Sequence, residues 1–253
     1  MSLVKFLPVT NTAKAGDLVE IARGIDEVRR FSIEVQAVSI WQLPREQTAT
    51  FTPSNGLVRA IYFPFGNYTD ITPQNGSSHH NAIIFAGQKD LRFEYENQVS
   101  ITARGEDTLF LETSNRPYTE QEITQRGLRI LANCPEQMED FLEEGLVQQI
   151  TMHRLPPNAV AGNHYHKKFK RETFHFPGLG NAVVHLLNPQ TNGLTKITPK
   201  LERYMAAQVE TPLEIVHAVQ NVGTTPLIFL ETATMAFDPN DGKKDLYPYK
   251  IVG

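Results

Sequence analysis

From about Asp17 onward the chain keeps breaking into short runs of β-branched, aromatic and aliphatic residues, each closed by Pro, Gly, Asn or Asp. Such runs are "FSIEVQAVSIWQL" (Phe31–Leu43), "LVRAIYF" (Leu57–Phe63), "NAIIFAG" (Asn81–Gly87), "LRFEYE" (Leu91–Glu96) and "TLFLET" (Thr108–Thr113). They resume later as "VQQITMHRL" (Val147–Leu155), "RETFHF" (Arg171–Phe176), "NAVVHLL" (Asn181–Leu187) and "PLIFLETATMAF" (Pro226–Phe237). Runs this short, with turn residues between them, form strands. The expected fold class is all-β, a sandwich or barrel.

One stretch departs from that pattern. "TEQE" (Thr119–Glu122) is a capping box, and "CPEQMEDFLEEG" (Cys134–Gly145) puts proline in a first helical turn, Met138, Phe141 and Leu142 on one face and Gly145 at the stop. Two short helices therefore link two β regions. The expected division is a β-rich N-terminal domain over residues 1–116, a helical linker over 117–146 and a second β domain over 147–253. The similar lengths of the β regions allow a duplicated barrel, although no short fixed period runs through the sequence.

The 253 residues, 40% hydrophobic and 21% charged, supply an ordinary core. A formal charge of −4 without blocks of like charge argues against nucleic acid or an anionic membrane as partner. No window reaches the roughly 18 apolar residues that span a bilayer. Met1 to Val9 is a short apolar stretch broken by Pro8, so a cytoplasmic protein is expected. The single cysteine, Cys134, leaves no intramolecular disulfide and no thiolate cluster; a transition metal would have to be held by imidazole and carboxylate.

"AGNHYHKKFKRETFHFPGLG" (Ala161–Gly180) holds three of the eight histidines. On a strand, side chains alternate faces, so His164 and His166 point one way and Tyr165 the other. Glu172 shares a face with Phe174 and Phe176, whereas Thr173 and His175 lie opposite. In "PLEIVHAVQN" (Pro212–Asn221) a proline leads into a strand with His217, and Asn221 on the same face. His164, His166, Glu172 and His217 together offer three neutral nitrogens and one anionic oxygen, with coordination positions left for water or substrate. One divalent first-row ion, Fe, Mn, Ni or Zn, is the expected cofactor; ligand type does not choose among them.

This arrangement resembles the cupin superfamily, whose first motif carries an HxH and a later Glu and whose second carries PxG, a His and an Asn. His164, His166 and Glu172 supply the ligand types of the first motif. Pro212, His217 and Asn221 match the spacing of the second. Here five residues, Lys167–Arg171, separate His166 from Glu172, one more than the usual maximum, and Glu214 stands where PxG has glycine. "GNHYH" with the tail "FDPNDGKKDLYPYKI" is similar to cupins of sugar-nucleotide and surface-polysaccharide biosynthesis. The resemblance implies a double-stranded β-helix (cupin) barrel, duplicated as a bicupin, and a homodimer. It also implies an isomerase or epimerase acting beside the carbonyl of a sugar or nucleotide-sugar. The N-terminal half offers His79 and His80, but neighbours on a strand face opposite ways, so no metal is expected there.

Glu172 and Tyr204 are the candidate catalytic groups, with Tyr165 a second tyrosine able to donate a proton. "KKFKR" reads as a solvated loop, or as a clamp for phosphates. His153 and His185 read as surface or hydrogen-bonded core residues, and Cys134 as no nucleophile. Two other functions fit the same ligands: an Fe(II)-dependent dioxygenase on a small organic acid or diol, and a non-catalytic cupin that binds a small ligand.

Overall fold

A computed structural model describes residues 4–7, 9–12, 16–51, 59–65, 69–73, 82–84, 90–95, 99–105, 107–143, 146–201, 204–236 and 245–253. In chain order the elements are β1 (Val4–Leu7), β2 (Val9–Thr12), β3 (Gly16–Arg23), α1 (Ile25–Glu34), β4 (Ala37–Leu43), β5 (Thr48–Phe51), β6 (Arg59–Phe65), β7 (Thr69–Pro73), β8 (Ala82–Ile84), β9 (Asp90–Tyr95), β10 (Val99–Ala103) and β11 (Thr108–Ser114). There follow α2 (Glu120–Arg126), β12 (Arg129–Ala132), α3 (Pro135–Phe141), β13 (Gln149–Leu155), β14 (Val160–Tyr165), β15 (Glu172–Leu179), β16 (Ala182–Asn188), β17 (Gly193–Ile197), β18 (Ala207–Thr211), β19 (Val216–Asn221), β20 (Leu227–Ala233) and β21 (Tyr247–Pro248). No helix among the described residues is long and apolar enough to cross a membrane.

The chain forms two compact units, residues 1–9 with 32–138 and residues 10–31 with 139–253. In the second unit one sheet runs β18-β15-β20-β13-β3-β2 and the other β17-β16-β19-β14-β21. From β13 to β21 successive strands, except the β16–β17 hairpin, pass between the two sheets, and Leu155, Phe174, Val209 and Phe229 of the first pack with Val184 and Val219 of the second in one apolar cluster. That is a double-stranded β-helix barrel.

The first unit repeats the pattern strand for strand. Its β9-β6-β11-β4 corresponds to β18-β15-β20-β13, and its β8-β7-β10-β5 to β17-β16-β19-β14. Register agrees as well: Ser114 pairs with Arg59 and Ala37, as Ala233 pairs with Glu172 and Gln149. Trp41, Phe51, Ile101 and Phe110 fill the first barrel, with the Trp41 and Phe110 ring centroids 4.0 Å apart. The expected all-β, duplicated double-stranded β-helix architecture is the one observed.

Three elements differ from the sequence expectation. Phe31–Glu34, expected as strand, ends α1. Gly24 at φ 82° turns the chain, Asp26 and Glu27 occupy the helix's positive first turn, and Val28, Phe31 and Val35 recur at helical spacing and are buried. β12 lies between the two expected helices and adds to the first barrel beside β4. β3, far from residues 147–253 in sequence, pairs with β13 in the second barrel. The contiguous division at 116 and 146 therefore does not follow the compact units. Of the expected helices, α2 has its capping box, with Thr119 and Glu122 bonded reciprocally, and ends at Gly127 (φ 61°). Met138, Phe141 and Leu142 are buried as expected, whereas Gly145 lies outside the described residues.

Candidate metal centre

β14 reaches the site through a bulge. Its register against β19 shifts between Gly162 and His164, and Asn163 sits at φ 60°. Ala161 packs on the barrel core, so strict alternation would aim His164 outward; the extra residue restores its phase. A Cβ on Gly162 would lie 2.7 Å from the His217 carbonyl oxygen, and its φ is 91°, so only glycine lets β14 come this close to β19. Asn163 ties the tail down: its Nδ2 donates to Val252 O (3.0 Å), and its Oδ1 accepts from the N–H groups of Ile251 (2.9 Å) and Val252 (3.1 Å).

His164, His166, Glu172 and His217 converge, with one ligand atom from each within 4.8 Å of all the others. His164 Nε2 is 3.2 Å from both His166 Nε2 and His217 Nε2. Glu172 Oε1 is 3.2 Å from His166 Nε2, and its Oε2 is 2.9 Å from His217 Nε2. The extra residue of the Lys167–Arg171 loop does not hold Glu172 away. His166, Glu172 and His217 are buried, and His164, half-buried, is the most open member. A cavity of about 590 Å³ is lined by Glu172, Arg171, Glu210 and Thr211 and by none of the three histidines.

The ligand side chains are themselves oriented. His166 Nδ1–H donates to the backbone carbonyl of Asp245, and His217 Nδ1–H donates to that of Ile215 at 3.1 Å. Both rings thereby turn the lone pair of Nε2 toward the cluster, the tautomer a metal needs. Asp245 also explains the long loop. Its Oδ1 accepts the N–H groups of Lys167 and Lys168 (2.9 Å each), and its Oδ2 those of Phe169 (2.8 Å) and Lys170 (3.0 Å). The loop is wound around one carboxylate, which sets Glu172 at its exit. Four donors hold that carboxyl below its ordinary range against the opposing effect of burial. Glu214 adopts the left-handed backbone (φ 62°) despite its side chain, and its N–H donates to His166 O at 2.7 Å. The left-handed turn that favours glycine is thus adopted by a glutamate, at a strain of about 1 kcal/mol.

Lys170, read as part of a solvated run, is buried at 8% exposure. Its Nζ contacts Glu172 Oε1 and lies 3.4 Å from Glu231 Oε1, while Glu231 Oε2 accepts from His153 Nε2 at 2.9 Å. Burial would raise the Glu172 carboxyl, but the Lys170 charge and the close contacts with His166 and His217 hold it well below the usual range. Burial would lower the Lys170 ammonium, but Glu172 and Glu231 raise it. Burial pulls His164 down to about 4 against the attraction of Glu172. Burial, the largest single effect, lowers the His166 imidazole, but the hydrogen bond and charge of Glu172 together with the Asp245 carbonyl outweigh it and leave it raised.

His175 points away from the four-residue cluster as expected, buried and hydrogen-bonded through Nε2 with Thr232 Oγ1 at 3.1 Å beside the Phe141 ring. His185 bonds Gln220 at 3.1 Å. Tyr165 stacks on Tyr247, centroids 5.2 Å apart, with Lys167 Nζ 4.5 Å above the Tyr247 ring. The four-residue cluster is complete without Tyr204, half-buried at φ 64° ahead of β18. Asn221 is structural: its Nδ2 donates to Leu155 O and Thr225 O at 2.9 and 2.8 Å. Cys134 Sγ accepts the Gln137 N–H at the start of α3. His79, His80 and residues 237–244 of the tail lie outside the described residues. In the first barrel the register positions of His164, Glu172 and His217 carry Phe51, Arg59 and Val99, none of which supplies the corresponding ligand.

No family model and no curated protein sequence matches the chain. Among solved structures it is similar to the capsular polysaccharide assembling protein CapF from Staphylococcus aureus, at 22% identity over 41% of this chain and 26% of that one, with a TM-score of 0.36. It is also similar to an oxalate decarboxylase from Lactobacillus farciminis, at 13% identity over 93% of this chain and 86% of that one, with a TM-score of 0.34. An oxalate oxidase in complex with glycolate matches at 16% identity over 37% of this chain and 47% of that one, with a TM-score of 0.30. The chain spans about a quarter of the length of the CapF structure. Its own strand order is that of two double-stranded β-helix barrels, and among the described residues the His/Glu cluster belongs to the second.

Proposed function

We propose that the second barrel binds one divalent first-row transition ion through His164, His166, Glu172 and His217, and uses it on a small oxygen-bearing substrate. The observation that carries this reading is the convergence of four ligand atoms within 4.8 Å, with two imidazoles locked by Nδ1–H bonds to backbone carbonyls. The residues fit an ion: lone pairs of His166 Nε2 and Glu172 Oε1 facing each other at 3.2 Å repel unless a cation or proton lies between them. When bound, the ion would supply Lewis acidity that polarises a carbonyl and acidifies the neighbouring C–H. Within this reading Glu172, engaged by two histidines and Lys170, is a ligand rather than the base. The aromatic wall of Phe174, Phe176 and Phe229 keeps water from the inner side, and half-buried His164 leaves the ligand side open.

The reaction class proposed is isomerisation or epimerisation beside the carbonyl of a sugar or nucleotide-sugar, in a homodimer of the cupin kind. The test is deuterium incorporation from D₂O next to the carbonyl, read by NMR under argon across a panel of nucleotide-sugars with the Mn(II)-loaded protein. Exchange without oxygen, abolished in His166→Ala, is expected. Oxygen uptake with an organic acid or diol by the Fe(II)-loaded protein, without exchange on any sugar, would replace this reading by that of a dioxygenase.

A further inference from the structure

Lys170, Glu231 and His153 form a polar chain inside a barrel whose neighbouring side chains, Phe174 and Phe229, are aromatic. Burying ionised groups costs several kcal/mol each before pairing, so such a chain is a poor way to gain stability. The first barrel shows the pairing without ligands: Glu112, at the register position of Glu231, is fully buried and meets Arg126 at 3.4 Å, while the Arg126 guanidinium covers Phe51. In the second barrel the cation is a compact ammonium lodged against a candidate metal ligand. Of its three N–H donors, Glu172 and Glu231 take two. His153 Nδ1 is buried and has no hydrogen-bond partner among the described residues.

We propose that Lys170 is a ligand-binding residue, its ammonium taking one oxygen of a small monoanion whose adjacent oxygen completes the coordination of the ion, with His153 Nδ1 accepting a ligand hydroxyl. This rests on the metal reading above. The preference for a monoanion follows from charge. Two carboxylates and one ammonium leave one negative charge beside neutral imidazoles, a divalent ion turns this into one positive charge, and a monoanion neutralises it. A dianion would leave uncompensated charge in a buried site. The chemical class is an adjacent pair of oxygens carrying one charge, as in the enolate of a hydroxy-ketone.

The test uses the full chain loaded with Mn(II), titrated calorimetrically with acetohydroxamate, a monoanionic chelator with adjacent oxygens, and with oxalate, a dianion. The wild type is expected to prefer acetohydroxamate. Lys170→Met should weaken acetohydroxamate at least tenfold while binding Mn(II) as well as or better than the wild type. The double variant Lys170→Met/Glu231→Gln restores the buried charge without the donor, and should stay weakened. Wild-type affinity for acetohydroxamate in either variant, or a wild-type preference for oxalate, overturns the proposal. Intact Mn(II) binding with those results removes only the role of Lys170; failure of the wild type to bind Mn(II) removes the metal reading and this inference together.

Discussion

Asp245 organises two parts of the candidate site: its carboxylate winds the loop between His166 and Glu172, and its carbonyl fixes the His166 tautomer. Asp245→Ala leaves four N–H groups without that acceptor but keeps the carbonyl. Metal affinity should drop about 10- to 100-fold, the range for groups that orient ligands; calorimetric titration with Mn(II) measures it, and an unchanged affinity would show that the loop holds itself. His175 sets a different expectation. Burial pushes its imidazole down to about 3, so between there and the unfolded value near 6.5 only the unfolded chain takes up the proton. Its contribution is complete above about pH 6.5 and is lost as the pH falls toward 3, at up to about 1.4 kcal/mol per pH unit. Urea unfolding of His175→Leu across pH 4–7 should show a shallower acid slope than the wild type, whatever its absolute stability. An identical slope would mean that His175 is protonated in the folded protein.

At the scale of elements, the second barrel depends on a strand from the other end of the sequence. β3 lies between β13 and β2, so a proline in its middle removes an N–H that bonds to one side or the other. Val19→Pro should cost about 3 kcal/mol or more. Thermal unfolding followed by circular dichroism should register that loss, and an unchanged midpoint would show β3 to be dispensable. This pairing was illegible in the sequence, since nothing in "GDLVEIAR" names a partner some 130 residues away. Local signals fared better: the capping box at Thr119 marked α2, and alternation correctly placed Glu172 with Phe174 and His175 opposite. Alternation failed at Asn163, because a bulge is a backbone event that shifts phase without changing composition.

For the whole molecule, duplication had left a trace that a search for short periods passes over. "FLETS" (Phe110–Ser114) and "FLETA" (Phe229–Ala233) occupy the same position in β11 and β20, and each sets its glutamate beside a cation, fully buried in the first and half-buried in the second. The four residues of the candidate metal cluster were legible because metal binding calls for particular residue types and a motif imposes spacing. Lys170, Glu231 and Asp245 were not, because electrostatic and backbone partners can arrive from any segment the fold brings near. The first barrel kept the architecture and filled the corresponding positions with Phe51, Arg59 and Val99, so the two units have diverged in chemistry rather than in strand order. The most direct test of the central claim is elemental analysis of the purified protein beside His166→Ala and Glu172→Ala. The account predicts one transition ion per wild-type chain and its loss from both variants; equal metal in all three proteins would contradict it.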